Sequence, residues 1–294
     1  MAEGYCVTKR RQFILLVTVS LIFFVGLRVS GAAWAQHALP RTHYDEVFSL
    51  SLTAQGIRKG GDPVEAFAKL KIMAEEGDPI AQHAVAFFYI EGPSMHRTKF
   101  VQRDDSKAVS WWRKAAVQGH ISAQKAVGNS YLIGRSVAKD LDKAKYWFKK
   151  AAEQGDAGAQ QSLSDLFTRT ANKSTDKNAA ESDDKEAFKW ISKAVEQGVG
   201  MYGLGLSYAF ARGTPQDVVQ AYKWFSISII VEGDSSGQVA KDREWAEKAM
   251  TCTQFIQAQG LVVEWIDKHL KANVVASLGR WLSWWWRRLW VGCF

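Results

Sequence analysis

Residues 140–155 read Asp140-Leu141-Asp142-Lys143-Ala144-Lys145-Tyr146-Trp147-Phe148-Lys149-Lys150-Ala151-Ala152-Glu153-Gln154-Gly155, and they contain the start, the packed face and the end of one helix. An aspartate such as Asp140 can cap the orphan N–H groups of a first turn. Ala144 and Trp147 lie one turn apart and share a face, small beside large. Gly155 permits the left-handed residue that ends a helix. The pattern recurs at Trp111 through Gly119, at Trp190 through Gly198, and more loosely at Trp224-Phe225-Ser226 leading to Gly233. Each copy keeps its aspartate and alanine: Asp104 and Ala108, Asp183 and Ala187, Asp217 and Ala221. A degenerate copy with Asp62, Pro63 and Ala66 runs to Gly77, its proline suited to a first helical turn. The pattern predicts a capping role for each aspartate. It also predicts core positions for Trp111, Trp147, Trp190 and Trp224, in preference to a carbohydrate-binding stripe.

A second helix follows each glycine. A small residue recurs at Ala86, Gly128, Ser164 and Gly205, with an aromatic three later at Tyr89, Tyr131, Phe167 and Tyr208. Ala81-Gln82, Ala123-Gln124 and Ala159-Gln160 repeat about one turn earlier. Small residues let two helices approach, and each such hairpin must stack on its neighbours to bury its apolar face. The closing glycines are spaced 42, 36, 43 and 35 residues apart, an underlying period of 36 with two insertions in the same inter-helix loop.

A 36-residue helical hairpin with small-x-x-aromatic in one helix and D-x-x-x-A-x-x-W-x-x-K-A-A-x-Q-G in the other resembles the Sel1-like repeat of the tetratricopeptide superfamily, over about residues 62–233. Met250 through Trp265 resembles the terminal helix of bacterial members, with Cys252 where proline is commoner. The resemblance implies an all-α, right-handed α-solenoid of stacked helix–turn–helix repeats. It implies an interaction scaffold for a protein or peptide partner, in envelope signalling, secretion or stress response, with no enzyme activity and no cofactor. Residues 36–61 are then an N-terminal helical cap and residues 234–270 C-terminal capping helices.

The two ends differ from this body. Lys9, Arg10 and Arg11 form a positive n-region, Phe13 to Gly26 is an apolar run too short to span a bilayer comfortably, and Ala33-Trp34-Ala35 offers a cleavage site between Ala35 and Gln36. Residues 1–35 therefore read as a signal peptide, with an uncleaved inner-membrane anchor facing the periplasm as the alternative. The expected location is periplasmic or secreted. Residues 271–294 hold five of the 13 tryptophans and four basic residues with no acid. As a helix they suit a membrane interface through Trp281, Trp284, Trp285, Arg287 and Arg288, or docking on the last repeat. Of the net charge of +8, the first 35 residues hold +3 and the last 24 hold +4, leaving +1 for the body, which carries no footprint for nucleic acid. Cys252 and Cys293 allow at most one disulfide after signal removal.

Motifs of catalytic interest read better as structure. Gly198-Val199-Gly200-Met201-Tyr202-Gly203 matches a dinucleotide fingerprint but follows a helix where a strand is required. Ser122-Ala123-Gln124-Lys125, Ser174-Thr175-Asp176-Lys177 and Ser182-Asp183-Asp184-Lys185 match S-x-x-K, the spacing of penicillin-recognising enzymes, yet no Lys-Thr-Gly follows. An envelope enzyme acting on β-lactam or peptidoglycan is the alternative these leave open. His37, His43, His83, His96, His120 and His269 show no zinc-ligand spacing, so no metal is expected. In the insertion 91–103, Met95, Arg97, Lys99, Phe100 and Arg103 mix apolar and basic groups as a partner contact would. The insertion 170–182 is polar and reads as a flexible loop.

Overall fold

The computed structural model describes residues 41–54, 62–92 and 100–269, and among them every regular element is a helix. The chain divides into two compact units, whose described parts are residues 41–197 and 198–269. The first unit holds α1 (Arg41–Ala54), α2 (Pro63–Glu75), α3 (Pro79–Glu91), α4 (Asp105–Val117), α5 (Ile121–Ile133), α6 (Leu141–Glu153), α7 (Ala157–Ala171) and α8 (Lys177–Glu196). The second holds α9 (Met201–Ala209), α10 (Val218–Val231), α11 (Gln238–Lys248) and α12 (Cys252–His269). In the first unit α3–α4, α5–α6 and α7–α8 form hairpins, and each helix also packs on its successor, so the hairpins stack as in a solenoid. In the second, α10 packs on α9, α11 and α12.

The caps follow the sequence at most positions. Asp62, Asp104, Asp140 and Asp217 accept from backbone N–H groups at the starts of α2, α4, α6 and α10. Gly77, Gly119, Gly155, Gly198 and Gly233 all take positive φ. Three of the hairpin turns are clamped by a further bond. The N–H of Asp104 donates to Tyr89 O (2.9 Å), that of Asp140 to Tyr131 O (3.0 Å) and that of Asp217 to Tyr208 O (3.0 Å). The small-x-x-aromatic pattern thus meets the capping aspartate at the backbone as well as at the side chain.

The third hairpin departs from expectation. The insertion is largely helical: α7 runs to Ala171 and α8 already begins at Lys177, capped by Asp176. Asp183 lies inside α8 and does not cap it. Its carboxylate accepts from the Thr170 hydroxyl and pairs with Lys145 at 3.6 Å, fastening the lengthened α8 to α7 and α6. A polar composition was compatible with either state. Asp176, ahead of the good helix formers Lys177, Ala179, Ala180 and Glu181, starts the helix two turns early.

The tryptophan series also needs correction. The deepest ring position is one residue later: Phe148 and Phe225 are 1% and 0% exposed, and Ile191 occupies the same place in the third hairpin. Trp111 and Trp147 are only half-buried, whereas Trp190 and Trp224 are buried. The small residues serve the deep ring. A Cβ on Gly205 would come within 2.6 Å of Phe225, and one on Gly128 within 3.1 Å of Phe148. Ser164 faces the smaller Ile191 position and donates to Ala187 O at 2.8 Å. The tryptophans bridge hairpins instead. Trp147 of α6 packs on the core of the preceding hairpin, and Trp190 of α8 joins the core of α6 and α7.

A ladder of glutamine amides joins the stacked hairpins of the first unit. Gln82, Gln124 and Gln160 are buried and donate to Ala74 O (3.0 Å), Ala116 O (3.1 Å) and Ala152 O (3.2 Å). Each then accepts from a glutamine one repeat on: Gln118 to Gln82 (2.9 Å), Gln154 to Gln124 (2.7 Å) and Gln197 to Gln160 (3.0 Å). The two recurring glutamines of the sequence pattern, Ala-Gln and x-Gln-Gly, are therefore partners across the hairpin interface.

Candidate interaction surface

The polar groups that might have served chemistry are taken up by the fold. At the G-x-G-x-x-G segment, Gly200 stands at the N-cap of α9 in a left-handed conformation and has no side chain to cap with. The carboxylate of Glu232 fills that place. It accepts from the N–H groups of Gly200 (2.7 Å), Met201 (3.1 Å) and Tyr202 (3.4 Å) and from the Ser228 hydroxyl (2.7 Å). A phosphate would need the same N–H groups. The three S-x-x-K matches are equally committed. Lys125 pairs with Asp156 at 3.1 Å, Lys185 pairs with Glu181 at 2.8 Å, and Ser174 hydrogen-bonds within its own turn to Asp176. A lysine held as an ammonium by a carboxylate is a poor proton acceptor for a neighbouring serine.

His83 and His120 form a face-to-face pair, ring centroids 4.7 Å apart. His120 stands where the neighbouring repeats have a capping aspartate, and its Nδ1 accepts from the N–H of Ala123 at 3.2 Å. Burial, and then the charge of His120, lowers the pKa of His83 to about 3. Among the described residues no group of three His, Cys, Asp or Glu is placed to hold a metal ion. No helix among them is long and apolar enough to cross a membrane.

Of the insertion residues expected to touch a partner, Met95, Arg97 and Lys99 lie outside the described residues. Phe100 is half-buried, 5.8 Å from the Phe67 ring, on the core built by α1, α2 and α3, and Val101 beside it is buried. Arg103 is exposed and donates from Nε to Asp105 at 2.8 Å. Trp281, Trp284, Trp285, Arg287 and Arg288, like Ala35 and Gln36, fall outside the described residues.

What the helices offer to solvent is a set of cations laid over rings. Lys114 stands 4.1 Å from the Trp111 centroid, Lys150 5.7 Å from Tyr146, Lys193 4.7 Å from Trp190 and Lys223 4.5 Å from Trp224. Arg113 lies over Tyr131 at 5.9 Å and donates to its hydroxyl at 2.8 Å. The signal for this was present in the sequence as the recurring lysine three residues after each tryptophan, at 114, 150 and 193.

Antiparallel helical hairpins that each bury their apolar face on the next define an α-helical repeat protein of the tetratricopeptide-like class. Residues 79–120, 121–156, 177–199 and 199–229 match the model of the Sel1 repeat, and over these residues the chain carries Sel1-like repeats. The second match begins and ends with one hairpin; the third omits α7, which precedes the lengthened turn. Among solved structures, a Sel1 repeat protein from Oxalobacter formigenes is 23% identical, with a TM-score of 0.53, over 71% of this chain and 85% of that one. A protective antigen of uropathogenic Escherichia coli with an SLR fold is 27% identical, with a TM-score of 0.43, over 77% of this chain and 53% of that one. An immunity protein from Pseudomonas aeruginosa is 17% identical, with a TM-score of 0.42, over 76% and 84%. Of these three, the Oxalobacter structure bears on the fold. The chain spans about half the length of the Escherichia coli antigen. No curated protein matches the chain.

Proposed function

We propose that this chain is an exported scaffold that holds a protein or peptide partner on its stacked hairpins, in envelope signalling, secretion or stress response. The observation that carries the reading is the division of polar groups within each unit. The glutamine ladder, the Glu232 carboxylate and the Lys125–Asp156 pair are spent on joining helices. The lysines laid over rings on α4, α6 and α8 stand at the surface instead. Export rests on the n-region, the apolar run and Ala33-Trp34-Ala35. Mass spectrometry of the mature protein should find Gln36 at the N-terminus; a chain retaining Met1 or Ala2 in the membrane pellet would make the segment an anchor. Photo-crosslinking in an envelope extract should give a discrete protein adduct, and its absence alongside turnover of a reporter β-lactam would replace the scaffold with an enzyme. Liposome co-sedimentation with and without residues 271–294 tests the tail as a membrane contact.

A further inference from the structure

The near-neutral body conceals a segregation of charge. Between residues 105 and 153, ten basic side chains stand against four acidic ones, a net of +6. Many exposed cations of the first unit have a carboxylate partner: Lys69 with Glu65, Lys107 with Asp104, Lys143 with Asp140, Lys185 with Glu181 and Lys189 with Glu186. Arg113, Lys114 and Lys150 have none among the described residues, and all three are exposed. Each is held over an aromatic ring, which orients a cation without neutralising it. The apolar surface beside them is open as well: Tyr146 is 54% exposed and Val117, one turn beyond Lys114, 73%. The flanks of α4 and α6 adjoin. Arg113 of α4 and Lys143 of α6 share the Tyr131 ring, at 5.9 and 5.5 Å, and Trp147 of α6 packs on the core that holds α4.

We propose that this flank of α4 and α6 docks an acidic peptide segment of a protein partner, its carboxylates meeting Arg113, Lys114 and Lys150 and an apolar side chain resting on Tyr146 or Val117. The proposal rests on the scaffold reading and names the chemistry of what the scaffold holds. Charge complementarity selects the occupant. Unneutralised cations interleaved with exposed apolar groups suit a protein segment carrying separate carboxylates and a hydrophobic anchor. A nucleic acid is a poorer match, because its phosphates follow one another along the strand. Asp142 and Glu153, both exposed on α6, would repel such a continuous polyanion, while discrete carboxylates can avoid them.

The test is a titration of the full chain with a fluorescein-labelled dodecapeptide of repeated Asp-Phe-Glu, read by anisotropy. The variant Arg113→Glu/Lys114→Glu/Lys150→Glu should bind about tenfold or more weakly, as charge reversal against a carboxylate predicts. The control Lys185→Glu/Lys189→Glu on α8 should bind within about twofold of the parent chain. Circular dichroism of both should be unchanged. If the triple variant does not fold, Lys114→Gln/Lys150→Gln should still show a loss of about threefold or more. Equal losses from the α4–α6 and α8 variants would overturn the proposal, as would no binding to the parent chain. It would also fall if the triple variant lost binding to a single-stranded oligonucleotide or to phosphatidylglycerol vesicles while the peptide did not respond. Unchanged crosslinking of an envelope protein by the triple variant would remove this docking face and leave the scaffold standing; no adduct even from the parent chain would count against the scaffold itself.

Discussion

At the scale of the residue, neighbouring aromatics in one motif do different work. Phe148 sits against Gly128 with its ring closed in, while Trp147 bridges to the preceding hairpin and keeps a solvent face. Phe148→Ala should therefore cost about 3–5 kcal/mol, as truncations of buried rings do, and Trp147→Ala markedly less. Urea unfolding of the two variants orders them, and a larger loss for Trp147 would return the tryptophans to the centre of the core. Gln124 is a second residue whose worth lies in where it points. It donates to Ala116 O and accepts from Gln154 in a buried site, so Gln124→Ala removes both bonds and should cost about 1–3 kcal/mol, although Ala116 O keeps the N–H of Gly119. Gln154→Ala removes the bond to Gln124 together with the longer one to Gly119 O (3.2 Å) and should cost less, since its amide is closer to solvent. The same urea experiment decides.

At the scale of the element, helix starts show how one carboxylate can be replaced by another. α8 begins at Asp176, whose carboxylate accepts from Asn178 N (2.8 Å), whereas Asp183, at the position that caps its counterparts, is bonded to Thr170 and Lys145. Asp176→Ala should cost about 1 kcal/mol and fray the first turns of α8. Asp183→Ala should leave the helix start intact and loosen its contact with α6 and α7. Amide hydrogen exchange separates the two: faster exchange confined to residues near 177–180 is expected for Asp176→Ala alone. At α9 the exchange of roles is more complete. A helix that opens on Gly200, without a capping side chain, takes its cap from Glu232 at the far end of α10. The Gly-x-Gly-x-x-Gly text is the trace of that arrangement, and Gly205, within 2.6 Å of a ring for any added Cβ, shows how closely the two helices approach.

At the scale of the whole molecule, stability should depend on pH through His83. The folded chain resists protonating it until about pH 3, whereas the unfolded chain takes up that proton near the ordinary histidine value of 6.5. The contribution is therefore complete above about pH 6.5 and is lost as pH falls toward 3, at no more than about 1.4 kcal/mol per pH unit. The ring keeps an edge toward solvent, so the slope should be shallower than that bound. His83→Phe should flatten the melting temperature between pH 6.5 and 4 relative to the parent chain. An unchanged profile would place the acid sensitivity elsewhere.

The repeat, its period and its helix ends were legible in the sequence, because caps and closing glycines act within a few residues of their own position. Asp104, Asp140 and Asp217, and the glycines at 77, 119, 155, 198 and 233, behave as local stereochemistry requires. The Sel1-like repeat pattern followed from the same local text. What only the tertiary structure decided are contacts about one repeat apart along the chain. That Gln154 reaches Gln124, that Glu232 caps α9, and that the ring opposite each small residue is Phe148 or Phe225 depend on how hairpins pack. The displaced start of α8 belongs to this second group, since Asp176 and Asp183 are equally good caps in isolation and the pairing of Asp183 with Thr170 and Lys145 distinguishes them. Phe100 does too: a ring among basic residues reads as an exposed anchor until Phe67 is seen beside it. Local propensity fixes where most of these helices begin and end; which of their faces is covered, and by what, is set by neighbours that the sequence places tens of residues away.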